Sequence, residues 1–129
     1  MRQAEPSEVV RRWLQATPND AFFVSVLSLA EIRRGIELLP AGKRRIDLEA
    51  WFGELEVSFG DRVLPVTKAV GDRWAVLSAR AQQQRGTTPP IVDRFIAATA
   101  LVHELTLITR NVKDFATLGV AIINPWDPQ

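Results

Sequence analysis

Apolar residues recur along this chain in two alternating patterns, short continuous runs suited to strands and longer stretches at helical spacing. Val9, Val10, Trp13 and Leu14 form a stripe that predicts a short helix from Ser7 to about Gln15, followed by a turn at Thr17-Pro18-Asn19-Asp20. The run Phe22–Leu27 predicts a strand, passing into a helix from Ser28 to about Leu39 that breaks at Pro40-Ala41-Gly42. Leu48, Trp51, Phe52, Leu55 and Phe59 then repeat at helical spacing, predicting a helix over Lys43–Phe59 that Gly60 stops. Arg62–Val66 predicts a short strand at a sheet edge, because Pro65 has no N–H to give an inner ladder. Val70, Trp74, Leu77 and Ala81 mark a helix from about Thr67 to Arg85. After the loop Gly86–Pro90, a helix over Ile91–Glu104 is expected to bury Val92, Phe95, Ile96, Thr99 and Val102. Thr106–Thr109 and Ala121–Ile123 are the last predicted strands, with a short helix around Val112–Leu118 between them. Strands separated by helices point to a parallel α/β sheet, here a short one.

Composition narrows the chemistry more than the fold. A chain of 129 residues with 47% apolar content is expected to form one domain with a proper core. It has no cysteine, which excludes disulfides, thiolate zinc and a cysteine nucleophile, and its one histidine, His103, excludes a site built on two imidazoles. His103 falls near a predicted helix end, where it suits the helix dipole better than base catalysis. No window is apolar enough to span a bilayer, and Met1–Pro6 lacks the apolar centre of a signal peptide, so a cytoplasmic protein without a membrane partner is expected. Thirteen of the sixteen basic residues are arginine, often paired as in Arg33-Arg34, which suits phosphate contacts as well as solvated helix faces. Neither GxGxxG nor GxxxxGK[ST] occurs, which removes the usual nucleotide cradles.

The candidate chemistry lies in three acids. Glu31, Asp93 and Asp114 each follow an apolar run or a proline pair and fall at or near the first turn of a predicted helix. In an open α/β sheet the carboxyl ends of the strands form the ligand crevice, and clustered carboxylates there suit a hard cation. Each acid also has a purely structural account: Ser28-x-x-Glu31 is a capping box, Asn111-x-x-Asp114 resembles one, and Asp93 is favoured by the helix dipole. Those accounts explain each acid singly and leave their convergence on one sheet edge unexplained. Thr109, Arg110 and Asn111 leave a strand towards the same crevice, with groups able to orient a phosphate or a water. A threonine without a histidine partner is no nucleophile. Trp51 and Trp74 are expected in the core or at a dimer interface, with Trp126 packing onto the fold.

Three segments together resemble one family closely: Ser25-Val26-Leu27-Ser28-Leu29-Ala30-Glu31-Ile32-Arg33-Arg34-Gly35-Ile36, Val92-Asp93-Arg94-Phe95-Ile96-Ala97-Ala98-Thr99-Ala100, and Leu107-Ile108-Thr109-Arg110-Asn111-Val112-Lys113-Asp114-Phe115. The family is the PIN-domain ribonucleases, specifically the toxin half of VapBC-type toxin–antitoxin pairs, and the ending Ile123-Asn124-Pro125-Trp126 resembles its FitB-like subgroup. The resemblance covers nearly the whole chain, in family order. It implies a single three-layer α/β/α PIN domain over residues 1–129 and Mg2+- or Mn2+-dependent cleavage of RNA. It also implies a homodimer and inhibition by a small antitoxin encoded by a neighbouring gene. Glu31 and Asp93 match two of the family's acids; the fourth corresponds to Asp114 or to Asn111, with Asp114 preferred. By the same resemblance Arg110, Arg33 and Arg94, with Thr109 and Asn111, are candidates for the RNA backbone.

One departure stands at the front. Family members open with an apolar strand ending in Asp-Thr-Asn, whereas Met1–Pro6 resembles the loop after it. The first central strand and one metal ligand are therefore expected to be missing, and the 129-residue form is expected to cleave RNA weakly or not at all. The alternative function is a catalytically impaired PIN module that dimerises and binds antitoxin or RNA without cutting. A phosphoacceptor receiver domain fits less well, because the strand ends offer Glu31 and Arg110 in place of its aspartate and lysine.

Overall fold

The computed structural model describes residues 21–84 and 88–125. The expected helix Ser7–Gln15, Trp13, the turn after it and Trp126 lie outside the described residues. In chain order the elements are β1 (Val24–Ser25), α1 (Val26–Glu37), α2 (Lys43–Phe59), a 3-10 turn (Gly60–Arg62) and β2 (Val63–Leu64). They continue with α3 (Lys68–Gln83), α4 (Ile91–Val102), β3 (Leu107–Ile108), α5 (Val112–Phe115), a 3-10 turn (Ala116–Leu118) and β4 (Ile122–Ile123).

The helices start and stop where side chains can satisfy their free ends. Ser25 is extended, and its hydroxyl accepts the Leu27 N–H at 3.1 Å, so α1 begins directly behind β1. This corrects two expectations. The strand foreseen over Phe22–Leu27 shrinks to two residues, and the capping box at Ser28 does not form because Ser25 has already capped the helix. Glu31 consequently lies beyond the first turn of α1. The end of α2 is as expected: Gly60 adopts φ +50°, a left-handed conformation that glycine takes without penalty, and its N–H returns to the Glu56 carbonyl. Thr67 caps α3 by accepting the Val70 N–H at 3.3 Å.

All strand pairing among the described residues is parallel, as strands separated by helices require, but the sheet comes in two halves. β1 pairs with β2, aligning Val24 with Val63, and β3 pairs with β4, aligning Leu107 with Ile122. Each half carries its own core. Leu29, Ile36 and Phe52 of α1 and α2 bury against Val24 and Val63. Val70, Leu77, Ala97, Ala98, Ala100, Phe115, Leu118 and Val120 bury against Leu107 and Ile122. α4 is the common element, packing most heavily on α3 and also touching α1 and α5.

The buried face of α4 differs from expectation. Its deepest residues are Ala97, Ala98, Thr99 and Ala100, whereas Val92, Phe95, Ile96 and Val102 are only partly covered. Small side chains let α3 approach closely, so the larger apolar ones are displaced to the margins of the contact. Thr99 survives in this setting because its hydroxyl donates to the Phe95 carbonyl at 2.8 Å. Across the molecule, Arg62 ties the chain entering β1 to the end of α2, donating to the Phe22 carbonyl at 2.8 Å and the Ser58 carbonyl at 2.6 Å.

Candidate functional site

Three different elements deliver the acids. Glu31 projects from α1, which Ser25 starts at the carboxyl end of β1. Asp93 lies in the first turn of α4, directly behind Pro89-Pro90, which hold the preceding backbone out of the helical region. Asp114 lies in the first turn of α5, anchored by the buried Phe115 beside it. Glu31 is exposed, while Asp93 and Asp114 are partly covered.

The electrostatics link Asp93 to the other two acids. Asp93 is raised above the ordinary carboxylate range, first because partial burial disfavours its charge, then because of Asp114, then because of Glu31. A charge on either Asp114 or Glu31 opposes ionisation at Asp93. The remaining polar groups of the rim are linked to it: the Thr109 hydroxyl accepts the Asn111 N–H at 2.9 Å, and the Asn111 side-chain amide donates to the Asp114 carboxylate at 2.6 Å. Asn111 is the N-cap of α5, yet its side chain goes to Asp114 and not to the helix backbone. Among the described residues, no three of Asp, Glu and His close in tightly enough to cage an ion on their own.

The arginines are distributed differently. Arg33 pairs with Glu37 one turn along α1 at 3.4 Å, beside a groove floored by Leu29 and Phe52. The Arg94 guanidinium lies over the Trp74 ring, 5.6 Å from its centre, and Trp74 in turn stacks on Phe95 at 4.8 Å. Arg110 is exposed at the strand end, beside Asn111. Thus Asp114 and Glu31 both act on Asp93, Thr109 and Asn111 are bonded beside Asp114, and Arg33 and Arg94 engage Glu37 of α1 and Trp74 of α3. His103 caps the end of α4 and is exposed.

Sequence reasoning overlooked Ser25. It is buried at the end of β1, sets the start of the helix bearing Glu31, and lines a cavity of about 200 Å3 between β1 and β3. Its signal was available: a hydroxyl residue between Val24 and Val26 is a natural stop for a strand and start for a helix. None of the three acids lines that cavity.

Comparison with known proteins supplies the family. The PIN domain family model matches residues 2–120. The chain is 35% identical over 127 residues to VapC ribonuclease Y4jK of Sinorhizobium fredii, covering 98% of this chain and 90% of that protein. It is 34% identical over 126 residues to Toxin FitB of Neisseria gonorrhoeae, covering 95% and 88%. A solved structure of FitAB bound to an IR36 DNA fragment superposes with a TM-score of 0.89 at 30% identity, over 98% of this chain and 89% of that one. With the family model spanning most of its length and its short parallel strands packed as in those structures, the chain belongs to the PIN-domain family, among the VapC and FitB proteins.

Proposed function

We propose that this protein is the toxin of a type II toxin–antitoxin pair and a ribonuclease that cleaves RNA phosphodiester bonds with Mg2+ or Mn2+ at Glu31, Asp93 and Asp114. The carrying observation is the field at Asp93, where two further carboxylates from separate elements oppose its ionisation. Such a cluster is costly unless a cation or a proton relieves it. The donor chemistry fits: Mg2+ takes oxygen ligands, keeps several waters, and is satisfied by one or two carboxylates, so an open pocket suffices. When bound, the cation supplies charge for the phosphate and hydroxide near neutral pH.

The chain's own residues do the rest. Asp93 leads the ligand set because a short side chain at a helix start holds an ion rigidly, Glu31 follows, and Asp114 is peripheral. Asn111 fixes the Asp114 carboxylate and is itself held by Thr109. Arg110 steers the RNA backbone, with Arg33 and Arg94 joining once they leave Glu37 and Trp74; none of these contacts reads a base. The relative named a VapC ribonuclease supports RNA cleavage, and likeness to the solved VapBC-5 toxin–antitoxin structure of Mycobacterium tuberculosis, 31% identical, supports assembly with an antitoxin, here one encoded by a neighbouring gene. A homodimer acting in the cytoplasm completes the reading. Among the described residues no helix is long and apolar enough to cross a membrane.

A second reading, a PIN module that binds antitoxin or RNA without cutting, draws on the openness of the acid cluster and the division of the sheet. Titration calorimetry with Mn2+ and an RNA cleavage assay separate the two. Mn2+ affinity should fall most in Asp93→Asn, less in Glu31→Gln and least in Asp114→Asn. Equal affinity in all four proteins removes the metal reading. Mn2+ binding without cleavage, in protein that still captures its antitoxin, selects the module.

A further inference from the structure

Asp93 is carried by a helix start with little of its own to hold it. The N-cap of α4 is Pro90, which gives no side-chain hydrogen bond to the free N–H groups of the first turn. Ile91, in the same turn, is 57% exposed and adds little packing. An uncapped, thinly packed helix end frays, and a carboxylate on a fraying turn holds an ion in no fixed place. Trp74 of α3 supplies what is lacking. Its ring meets two consecutive residues, the two that follow Asp93. It stacks on Phe95 with ring centres 4.8 Å apart and planes 10° from parallel, and the Arg94 guanidinium carbon lies 5.6 Å from its centre. No hydrogen bond replaces the ring at the Arg94 Nε, which is shielded from solvent and bonds to no group among the described residues. The platform is itself firm. Trp74 lies between Val70 and Leu77 on one stripe of α3, these two being 0% and 7% exposed, and Thr67 caps that helix.

We infer that Trp74 is a positioning residue for the metal ligand Asp93: by gripping Arg94 and Phe95 from α3, it fixes the first turn of α4 and with it the place of the carboxyl that precedes them. Trp74 needs no contact with metal or RNA for this. Groups that orient a ligand act on metal affinity without touching the ion. The two grips are not equivalent. Arg94 is free to turn to an RNA phosphate, and the Phe95 stack then holds the turn alone. The inference rests on the metal reading of Asp93, and its test separates the failure of one from the failure of the other.

The test compares variants of the 129-residue protein. Trp74→Leu removes the ring, Trp74→Phe keeps an aromatic face, Leu77→Val loosens the same stripe of α3 away from Arg94 and Phe95, and Asp93→Asn removes the ligand. Titration calorimetry with Mn2+ should show affinity lowered about fivefold or more in Trp74→Leu and within about twofold of the parent in Trp74→Phe and Leu77→Val. Amide hydrogen exchange in EDTA reads the turn without metal. The Arg94 N–H, which donates to the Pro90 carbonyl at 3.1 Å, should exchange about fivefold faster in Trp74→Leu and at the parent's rate in Leu77→Val. If Trp74→Leu does not fold, Phe95→Leu removes the same stack from the other side and takes its place. Equal losses of Mn2+ affinity in Trp74→Leu and Leu77→Val would reduce Trp74 to a packing residue and overturn the inference. Unchanged affinity in Trp74→Leu, where Asp93→Asn loses it, would do the same while leaving the metal reading intact. Unchanged affinity in Asp93→Asn would remove the metal reading and the inference with it.

Discussion

At Asp93 the fold places a carboxyl where ionisation is opposed from three directions: its partial burial, Asp114 and Glu31. The linkage sign follows from that direction. A folded-state pKa raised above the unfolded value means the native protein retains a proton that the unfolded chain has released. The associated stability is fully present below the unfolded pKa and is lost as pH rises through the folded one. At neutral pH without divalent ions, the charge on Asp93 is therefore a net cost. Asp93→Asn should raise the melting temperature in EDTA near neutrality, with the gain shrinking as pH falls towards about 4. Excess Mn2+ should reverse the order, stabilising the parent more than the variant, because a ligand that binds only the native state stabilises by mass action. Thermal scans across pH with EDTA or Mn2+ measure both effects. A variant no more stable than its parent at neutral pH in EDTA would show that the three carboxyls do not share a field.

For single elements, α1 offers the clearest test, because two serines compete for the role of its cap. Ser25→Ala removes the hydroxyl that accepts the Leu27 N–H and should cost about 1 kcal/mol in urea unfolding, whereas Ser28→Ala, inside the helix, should cost clearly less. A larger loss at Ser28 would restore the capping box that the sequence suggested. This helix also shows what was legible. The α2 boundaries and its stop at Gly60 could be read in advance, since 3.6-residue periodicity and a left-handed glycine are local signals. Strand lengths could not be read, because Phe22–Leu27 is equally apolar as strand or helix and one side-chain hydrogen bond at Ser25 decides between them. The Ala97–Ala100 burial was missed for a different reason: large side chains mark an apolar stripe, but small ones mark where two helices come closest. Glu31 and Asp114 stood out near strand-to-helix junctions and Asp93 behind a proline pair. The partners of Arg33 and Arg94 were not, since Glu37 and Trp74 become neighbours only through helical geometry and packing across α3 and α4.

On the molecular surface, Leu38, Ile46, Trp51 and Val57 remain 70%, 64%, 45% and 83% exposed, all at the end of α1 or along α2. Phe52, one position from Trp51, is 6% exposed and packs beneath α1 instead. We propose that this exposed set meets its copy across a two-fold axis. Light scattering should report twice the monomer mass, and Trp51→Lys should lower it towards the monomer; an unchanged mass would move the contact elsewhere. The divided sheet has a thermodynamic consequence as well. With β1–β2 and β3–β4 sharing no strand among the described residues, their two cores are coupled chiefly through α4. All-or-none melting requires that neither core can loosen while the other stays intact. In this chain the α1–α2 side, resting on three buried apolar residues, is free to open before the larger core lets go. The calorimetric enthalpy should then exceed the van't Hoff enthalpy, and protection should fall into two tiers, the weaker over Val24–Phe59 and the stronger over α3 and α4. Anything that bridges the halves should merge those tiers into one cooperative transition.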